Sequence, residues 1–254
     1  MRRRSRRGAC HSVAVRHDSV WPTLLAVLVV AGIAGAILGA VGAVANRVKT
    51  SDEFLLWVIG GVIGGVGTVL VWAGIASATV GLIVFTTAAL LGSTMSPLLD
   101  NTDSLVAWLV SFLVKWVQSP LVTTAGLCAT LIVTIRRGKI DFRRGMLFIA
   151  VGPGGGALTL GAVAWTQSGR FDRDGSVPDN LARHESTHSR TVASIGELGF
   201  YLTYVTIGAV WGSLQGGSWN NLNVAGCGNP FEKTAHTFTG DPAIAVRKQR
   251  RLQT

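Results

Sequence analysis

Between Trp21 and Ala45 lie 25 consecutive residues without one ionisable side chain. At 1.5 Å per residue a helix of that length runs about 37 Å, enough to cross the roughly 30 Å hydrocarbon layer of a bilayer. The run is too long for the apolar core of a signal peptide, about 7–15 residues, and no small-residue cleavage site follows a short core. It predicts a transmembrane helix. Its glycines (Gly32, Gly35, Gly39, Gly42) allow close helix packing, although ordinary membrane-helix composition accounts for them equally well.

The rest of the chain agrees with a membrane protein. Of its 254 residues, 48% are hydrophobic and only 14% charged, a composition outside the soluble globular range. The net charge of +10 is concentrated in clusters. Five arginines fall within residues 2–7, five cations within 136–144, and Arg247, Lys248, Arg250 and Arg251 near the end. Each cluster flanks an apolar block or forms a tail. The positive-inside bias explains that pattern more simply than nucleic-acid binding does, so no nucleic-acid partner is expected. Cys10, Cys128 and Cys227 are far apart, which suggests neither a disulfide framework nor a cysteine zinc site. Cys128 lies in an apolar run and is expected to be buried.

Further spans are predicted over Phe54–Trp72, Ile75–Leu91 and Leu121–Ile135. Leu105–Trp116 is apolar but broken by Lys115 and by Ser119-Pro120, and reads as a short or interfacial helix. Lys115 is expected to snorkel near a helix end. About four spans would put the N-terminus and the 136–144 cluster in the cytoplasm, with the anionic loop Ser96–Ser104 outside. Domain organisation follows: residues 1–20 a basic disordered N-terminus, 21–135 a transmembrane helical region, 136–145 a basic cytoplasmic linker, 146–240 a small domain, and 241–254 a basic tail.

Residues 147–166 are apolar and long enough for another span, but Gly152-Pro153-Gly154-Gly155-Gly156 is a strong turn signal at their midpoint. Lipid would leave such a centre without hydrogen-bond partners. Leu147–Val151 and Ala157–Ala164 are therefore predicted as two strands of a β-hairpin. The glycine run lacks the Gly-Lys-Ser/Thr of a phosphate loop. Residues 166–178 read as a surface loop, Asp179 or Asn180 as a helix cap, and Leu181–Ala193 as the helix that follows. The apolar, aromatic run Phe200–Leu214 is short for a span and predicts a buried helix or one lying against the bilayer.

The predicted helix at 181–193 carries His184-Glu185-Ser186-Thr187-His188, an HExxH motif. Positions i and i+4 share a helix face, so both imidazoles can hold one Zn²⁺. Glu185, beside the first of them, is placed to act as general base toward a water polarised by the ion. A catalytic zinc site needs a third protein ligand and one open position. Further on stands Asn229-Pro230-Phe231-Glu232-Lys233-Thr234-Ala235-His236, where proline followed by glutamate marks another helix start. Glu232 is the expected third ligand and His236 the alternative. Against this stands a bland reading: two solvated histidines on a polar helix, and a glutamate that merely favours a helix N-terminus.

The order of Gly-rich turn, HExxH helix, aromatic segment and NPFE resembles small bacterial HExxH zincin-like domains of the gluzincin type. Many of these read HExxHxxQ, then Gly-Pro-x-Tyr, then Asn-x-x-Glu-x-x-Ala. His184, Glu185, His188, Asn229, Phe231, Glu232 and Ala235 match within residues 147–236. The resemblance implies His184, His188 and Glu232 as ligands and Glu185 as base. It departs at Thr191, where relatives carry Gln, and at Glu197-Leu198, which interrupts the Gly-Pro pattern.

The resulting expectation is a mainly α protein, a bundle of about four transmembrane helices followed by a small α+β zincin-like domain with a β-hairpin and an HExxH helix. Its expected function is that of a membrane-anchored zinc metallopeptidase acting on a peptide or protein substrate at the cytoplasmic face. The alternative is a non-enzymatic multi-pass membrane protein with a vestigial or structural metal site. A channel or transporter is disfavoured, because the spans hold no ionisable residue apart from Lys115.

Overall fold

The computed structural model describes residues 20–49, 51–102, 104–136, 138–151, 157–214, 229, 231–232 and 234–235. Helices dominate: α1 (Val20–Ala45), α2 (Ser51–Ile75), α3 (Ala78–Thr94), the single turn α4 (Ser96–Leu99), α5 (Leu105–Gln118), α6 (Pro120–Ile135), α7 (Asp179–Ile195) and α8 (Glu197–Leu214). Four short strands lie between α6 and α7: β1 (Ile140–Arg143), β2 (Met146–Ala150), β3 (Ala157–Leu160) and β4 (Val163–Thr166). Two helices, Trp21–Ala45 and Glu53–Ile75, are long and apolar enough to cross a membrane; α3, α5 and α6 are apolar but shorter.

Missing side chains bring α1 and α2 together. A Cβ at Gly35 would overlap the Gly61 carbonyl, and a Cβ at Gly61 the Gly35 carbonyl. One turn along, a Cβ at Gly65 would overlap the carbonyl of Ala31. The small residues of α1 and α2 therefore form a specific seam, where the composition alone predicted none.

The HExxH helix does not stand apart from the helical region. α7 packs against α1, α2, α3 and α5. Its C-terminal end is seated on the other glycine row of α2, where a Cβ at Gly64 would overlap the Ile195 carbonyl. The chain then reverses at Gly196, whose φ of 76° suits a residue without a Cβ. It returns as α8, whose Gly199 lies against the Gly60 carbonyl. Together α7 and α8 make a helical hairpin, and its tip reaches the middle of α2.

The strands form one mixed sheet in the order β1-β2-β4-β3. β1 pairs antiparallel with β2, β3 antiparallel with β4, and β2 parallel with β4. The hairpin predicted from Leu147–Val151 and Ala157–Ala164 is thus corrected: Leu147 and Phe148 do pair with Val163 and Ala164, but in parallel, and Ala157–Leu160 pair with β4 instead. The second predicted strand is itself two, reversing at Gly161-Ala162. Burial explains the choice. Met146 and Phe148 face a core with Phe171, Val177 and Ala182, while Leu147 and Ile149 face one with Phe112 and Val163. A strand covered on both faces suits the centre of a sheet. The basic linker expected over 136–145 also changes identity, because Ile140–Arg143 supply β1.

The expected topology needs correction too. Ser194 and Ala193 of α7 lie against Gly42, near the end of α1, and Gly92, near the end of α3. Those two helix ends are therefore at the same end of the bundle. Arg144 donates to Asn101, which follows α3, at 2.8 Å. The loop Ser96–Ser104, expected outside, thus touches the cluster expected in the cytoplasm, while α1 begins at the opposite end.

Polarity in the second half runs from inside to outside. On α5, Ser111, Lys115 and Gln118 are buried with no exposure, whereas Leu105 and Val106 are 77% and 70% exposed. Lys115 does not snorkel. It donates to Asp100 Oδ1 at 2.8 Å and to the carbonyls of Arg144 at 2.8 Å and Gly145 at 3.4 Å. Cys128, expected buried, is exposed on α6.

Candidate metal centre

α7 is a polar helix packed on nearly every side, and its hydroxyls make that tolerable. Ser186 and Thr187 donate to the Arg183 carbonyl at 3.0 and 2.9 Å, Thr191 to Thr187 and Ser194 to Arg190, both at 2.9 Å. Such bonds satisfy buried hydroxyls without outside partners. The helix starts two residues before its predicted start, after Pro178. Neither Asp179 nor Asn180 is its N-cap, and Asp179 sits instead in the first turn. There Asp179 receives Arg144 at 2.8 Å and Arg183 at 2.6 Å.

Two further contacts fix the height of α7. Ser189 donates to the Gly161 carbonyl at the β3–β4 turn, at 2.6 Å. Arg190 Nε lies 3.6 Å from Asp100 Oδ2, and its Nη2 donates to Thr187 at 3.1 Å. Asp100 is held in turn by Lys115 and by Ser111, at 2.8 and 2.6 Å. A buried ionic network therefore runs from α5 to the HExxH helix.

The other face of α7 presents the histidines. His184 Nε2 and His188 Nε2 are 3.1 Å apart. Glu232 reaches both, with Oε2 3.2 Å from His184 and Oε1 3.2 Å from His188. Candidate ligand atoms of all three residues lie within 4.8 Å of one another. His236 falls outside the described residues. The residues around Glu232 hold it from several directions. Phe231 packs with Ala43, Trp57, Val192 and Phe200. Asn229 accepts from the Phe231 amide at 3.0 Å, and Thr234 donates to Glu53 of α2 at 3.4 Å.

The electrostatics are mutual. Burial alone would raise the Glu232 carboxyl, but the charges and hydrogen bonds of His188 and His184 outweigh it and hold the group well below the ordinary carboxylate value. Burial alone would depress the His188 imidazole, and the Glu232 carboxylate reverses that, leaving its pKa raised.

Four hydrogen bonds have no counterpart in the sequence reading. Tyr204 donates its hydroxyl to Glu232 Oε1, and burial followed by the Glu232 charge raises its pKa. Thr159 of β3 donates to Glu185 Oε2 at 2.5 Å. Tyr201 donates to the Thr159 carbonyl at 3.0 Å and accepts from the Gly161 amide at 2.9 Å, so α8 holds the strand that holds Glu185. The available signal was the spacing of Phe200, Tyr201 and Tyr204, which share one side of α8. Thr191 is buried and donates back to its own helix.

Can these residues hold a metal ion? Ligand atoms about 2.0–2.1 Å from a tetrahedral Zn²⁺ lie about 3.3 Å from one another. The two imidazole nitrogens, 3.1 Å apart, match that edge, and each has a different oxygen of the Glu232 carboxylate at 3.2 Å; with one ligand atom per residue, all lie within 4.8 Å of one another. Two neutral nitrogens and a carboxylate are also a donor set suited to zinc. One feature departs from the usual arrangement: His188 Nδ1 is buried with no hydrogen-bond partner among the described residues. Comparison with protein-family models, curated proteins and solved structures finds no match.

Proposed function

We propose that this chain is a membrane-embedded zinc metallopeptidase, with His184, His188 and Glu232 as the metal ligands and Glu185 as the general base. The observation that carries the reading is the convergence of one ligand atom from each of His184, His188 and Glu232 within 4.8 Å of one another, the two imidazole nitrogens 3.1 Å apart. It brings the HExxH pair together with a carboxylate more than forty residues away. The resemblance to gluzincin-type domains supports the same assignment.

Zn²⁺ bound there would polarise a substrate carbonyl and lower the pKa of a bound water toward about 7. The chain's own residues do the rest. Glu185, one residue from His184, accepts the proton of the attacking water and returns it to the leaving amine. Thr159 fixes the Glu185 carboxylate by donating its hydroxyl to Oε2, and Tyr201 fixes Thr159 by donating to its carbonyl. Tyr204 orients Glu232.

Bilayer embedding is supported by the inverted polarity of α5 and by the exposed apolar residues of α1, α6 and α8. Buried ionic groups beneath an apolar outer face suit a surrounding of lipid. Arg47, Lys49, Lys139, Arg143 and Arg144 gather at the end of the bundle that holds the site, which favours the cytoplasm for that end, in competition with the arginines ahead of α1.

A second reading, a non-enzymatic membrane protein with a structural metal, draws on the closure of the site: Glu185, His188 and Glu232 are each at most 5% exposed. Two variants separate the readings. His188→Ala should lower bound zinc from about one ion per chain to a small fraction; equal zinc in both proteins overturns the metal assignment. Glu185→Gln should keep zinc and lower peptide turnover by about 10²–10⁴-fold. Turnover unchanged by that variant removes Glu185 from its role.

A further inference from the structure

The helical hairpin sets a depth for the site. α2 runs from Ser51 to Ile75, and its Gly64, one residue past the midpoint, lies against the Ile195 carbonyl of α7. His188 precedes Ile195 by seven residues and His184 by eleven. At 1.5 Å per residue, His188 is at most about 10 Å and His184 at most about 16 Å from the level of the α2 midpoint, since any tilt of α7 shortens both. Half of a hydrocarbon layer is about 15 Å. With α2 centred in the bilayer, His188 therefore lies within the hydrocarbon layer and His184 at its boundary.

The flank of the site has matching chemistry. Tyr201 and Tyr204 of α8 touch the site, and their neighbours Leu202 and Val205 are 49% and 52% exposed. Leu158, beside Thr159, is exposed as well. Exposed polar residues near the site lie toward the start of α7, at Asn180 and Arg183. A polar reaction centre with apolar lips on its side and cations at its top is built to take its substrate from the bilayer.

Resting on the peptidase reading above, we propose that the substrate is a membrane-inserted polypeptide cut at the edge of its spanning segment, and not a soluble peptide. The amide to be cut would be helical and internally hydrogen-bonded until it reaches the site. A juxtamembrane stretch, where a spanning helix frays, offers it at the least unwinding.

The test uses the full chain, zinc-loaded, in phosphatidylcholine–phosphatidylglycerol vesicles. One arm is independent of catalysis. With Cys10, Cys128 and Cys227 replaced by Ser, nitroxide labels are placed by Leu202→Cys and, as a water-exposed control, by Arg183→Cys. The label at 202 should collide several-fold more with oxygen than with a water-soluble nickel chelate, and the label at 183 should show the reverse. Equal nickel access at both overturns the depth. The second arm offers two probes: a randomised twelve-residue stretch fused to a Leu/Ala spanning helix, and the same stretch as a soluble peptide. Cuts should fall within about five residues of the spanning helix, at a rate at least tenfold above the soluble pool, and vanish in Glu185→Gln. Equal or faster cutting of the soluble pool, or cuts spread evenly along the stretch, overturns the substrate class and leaves the peptidase reading standing. No cutting of either pool by zinc-loaded protein overturns both.

Discussion

α2 and α7 each pack against several other helices, and they achieve it by opposite means. α2 removes side chains, and two glycine rows let the backbones of α1 and of the α7–α8 hairpin approach it directly. α7 keeps polar side chains and folds their hydroxyls back onto its own carbonyls. The first device needs only shape. The second needs every polar group satisfied, and its largest members, Arg190, Asp100 and Lys115, satisfy one another. Substitutions should therefore act by steric overlap around α2 and by unpaired charge around α7.

The largest effect is expected at Lys115. Lys115→Met leaves Asp100 buried at 4% exposure with one cation fewer. Removing one member of a buried pair typically destabilises by about 3–5 kcal/mol, while replacing both members with neutral groups can be close to neutral. Thermal unfolding in detergent should show Lys115→Met far below wild type and the double variant Lys115→Met, Asp100→Asn recovering part of the loss, the remainder reflecting Arg190 left without the Asp100 carboxylate. No recovery in the double variant would mean that Lys115 acts by its packing and not by its charge.

This pair also marks the limit of what the sequence could disclose. The helix at Trp21–Ala45 was legible because a long uncharged apolar run has few alternatives. The meeting of His184, His188 and Glu232 was legible because two imidazoles one helical turn apart call for a further donor, and the chain offers few. The partner of Lys115 was not, since Asp100 precedes it by fifteen residues and looked like an ordinary loop acid. Strand pairing was hidden for a related reason. β2 is apolar on both faces, so periodicity could not tell which neighbour it would choose. Tyr204 and Thr159 read as an apolar-segment aromatic and a strand threonine until the fold set them beside Glu232 and Glu185.

Next in size is the steric contrast within α2. Gly61→Ala places a Cβ into the Gly35 carbonyl, while Gly74→Ala meets nothing within 4 Å. Overpacking typically destabilises by about 1–3 kcal/mol, whereas Ala for an exposed helical Gly stabilises by up to about 1 kcal/mol. Parallel unfolding curves should separate the two variants in opposite directions from wild type. Similar curves would mean that the α1–α2 seam yields easily.

Tyr204→Phe keeps the ring that packs on Phe200 and Phe231 and deletes only the hydroxyl donated to Glu232. Partners that orient a metal ligand typically contribute 10–100-fold to affinity, about 1.4–2.7 kcal/mol. Competition against a chromogenic chelator should show zinc weakened by that factor with the thermal midpoint of the chelator-treated protein little changed. A fall in that midpoint equal to the loss in zinc affinity would make Tyr204 a packing residue instead.

The smallest effect is expected where α7 emerges from its packing. Arg183 and Asp179 form an i,i+4 pair at 2.6 Å, yet their side chains are half exposed. Water and salt screen such a pair, and its contribution is about 0.3–0.5 kcal/mol. Arg183→Ala should shift the unfolding midpoint barely beyond error, and added salt should shrink the shift further. Arg144 holds the same carboxylate and is far less exposed, at 13%, so Arg144→Ala should cost more and be less sensitive to salt. A salt-insensitive loss at Arg183 as large as that at Arg144 would mean that the start of α7 is as sheltered as its core, and that the water-facing mouth of the site lies elsewhere.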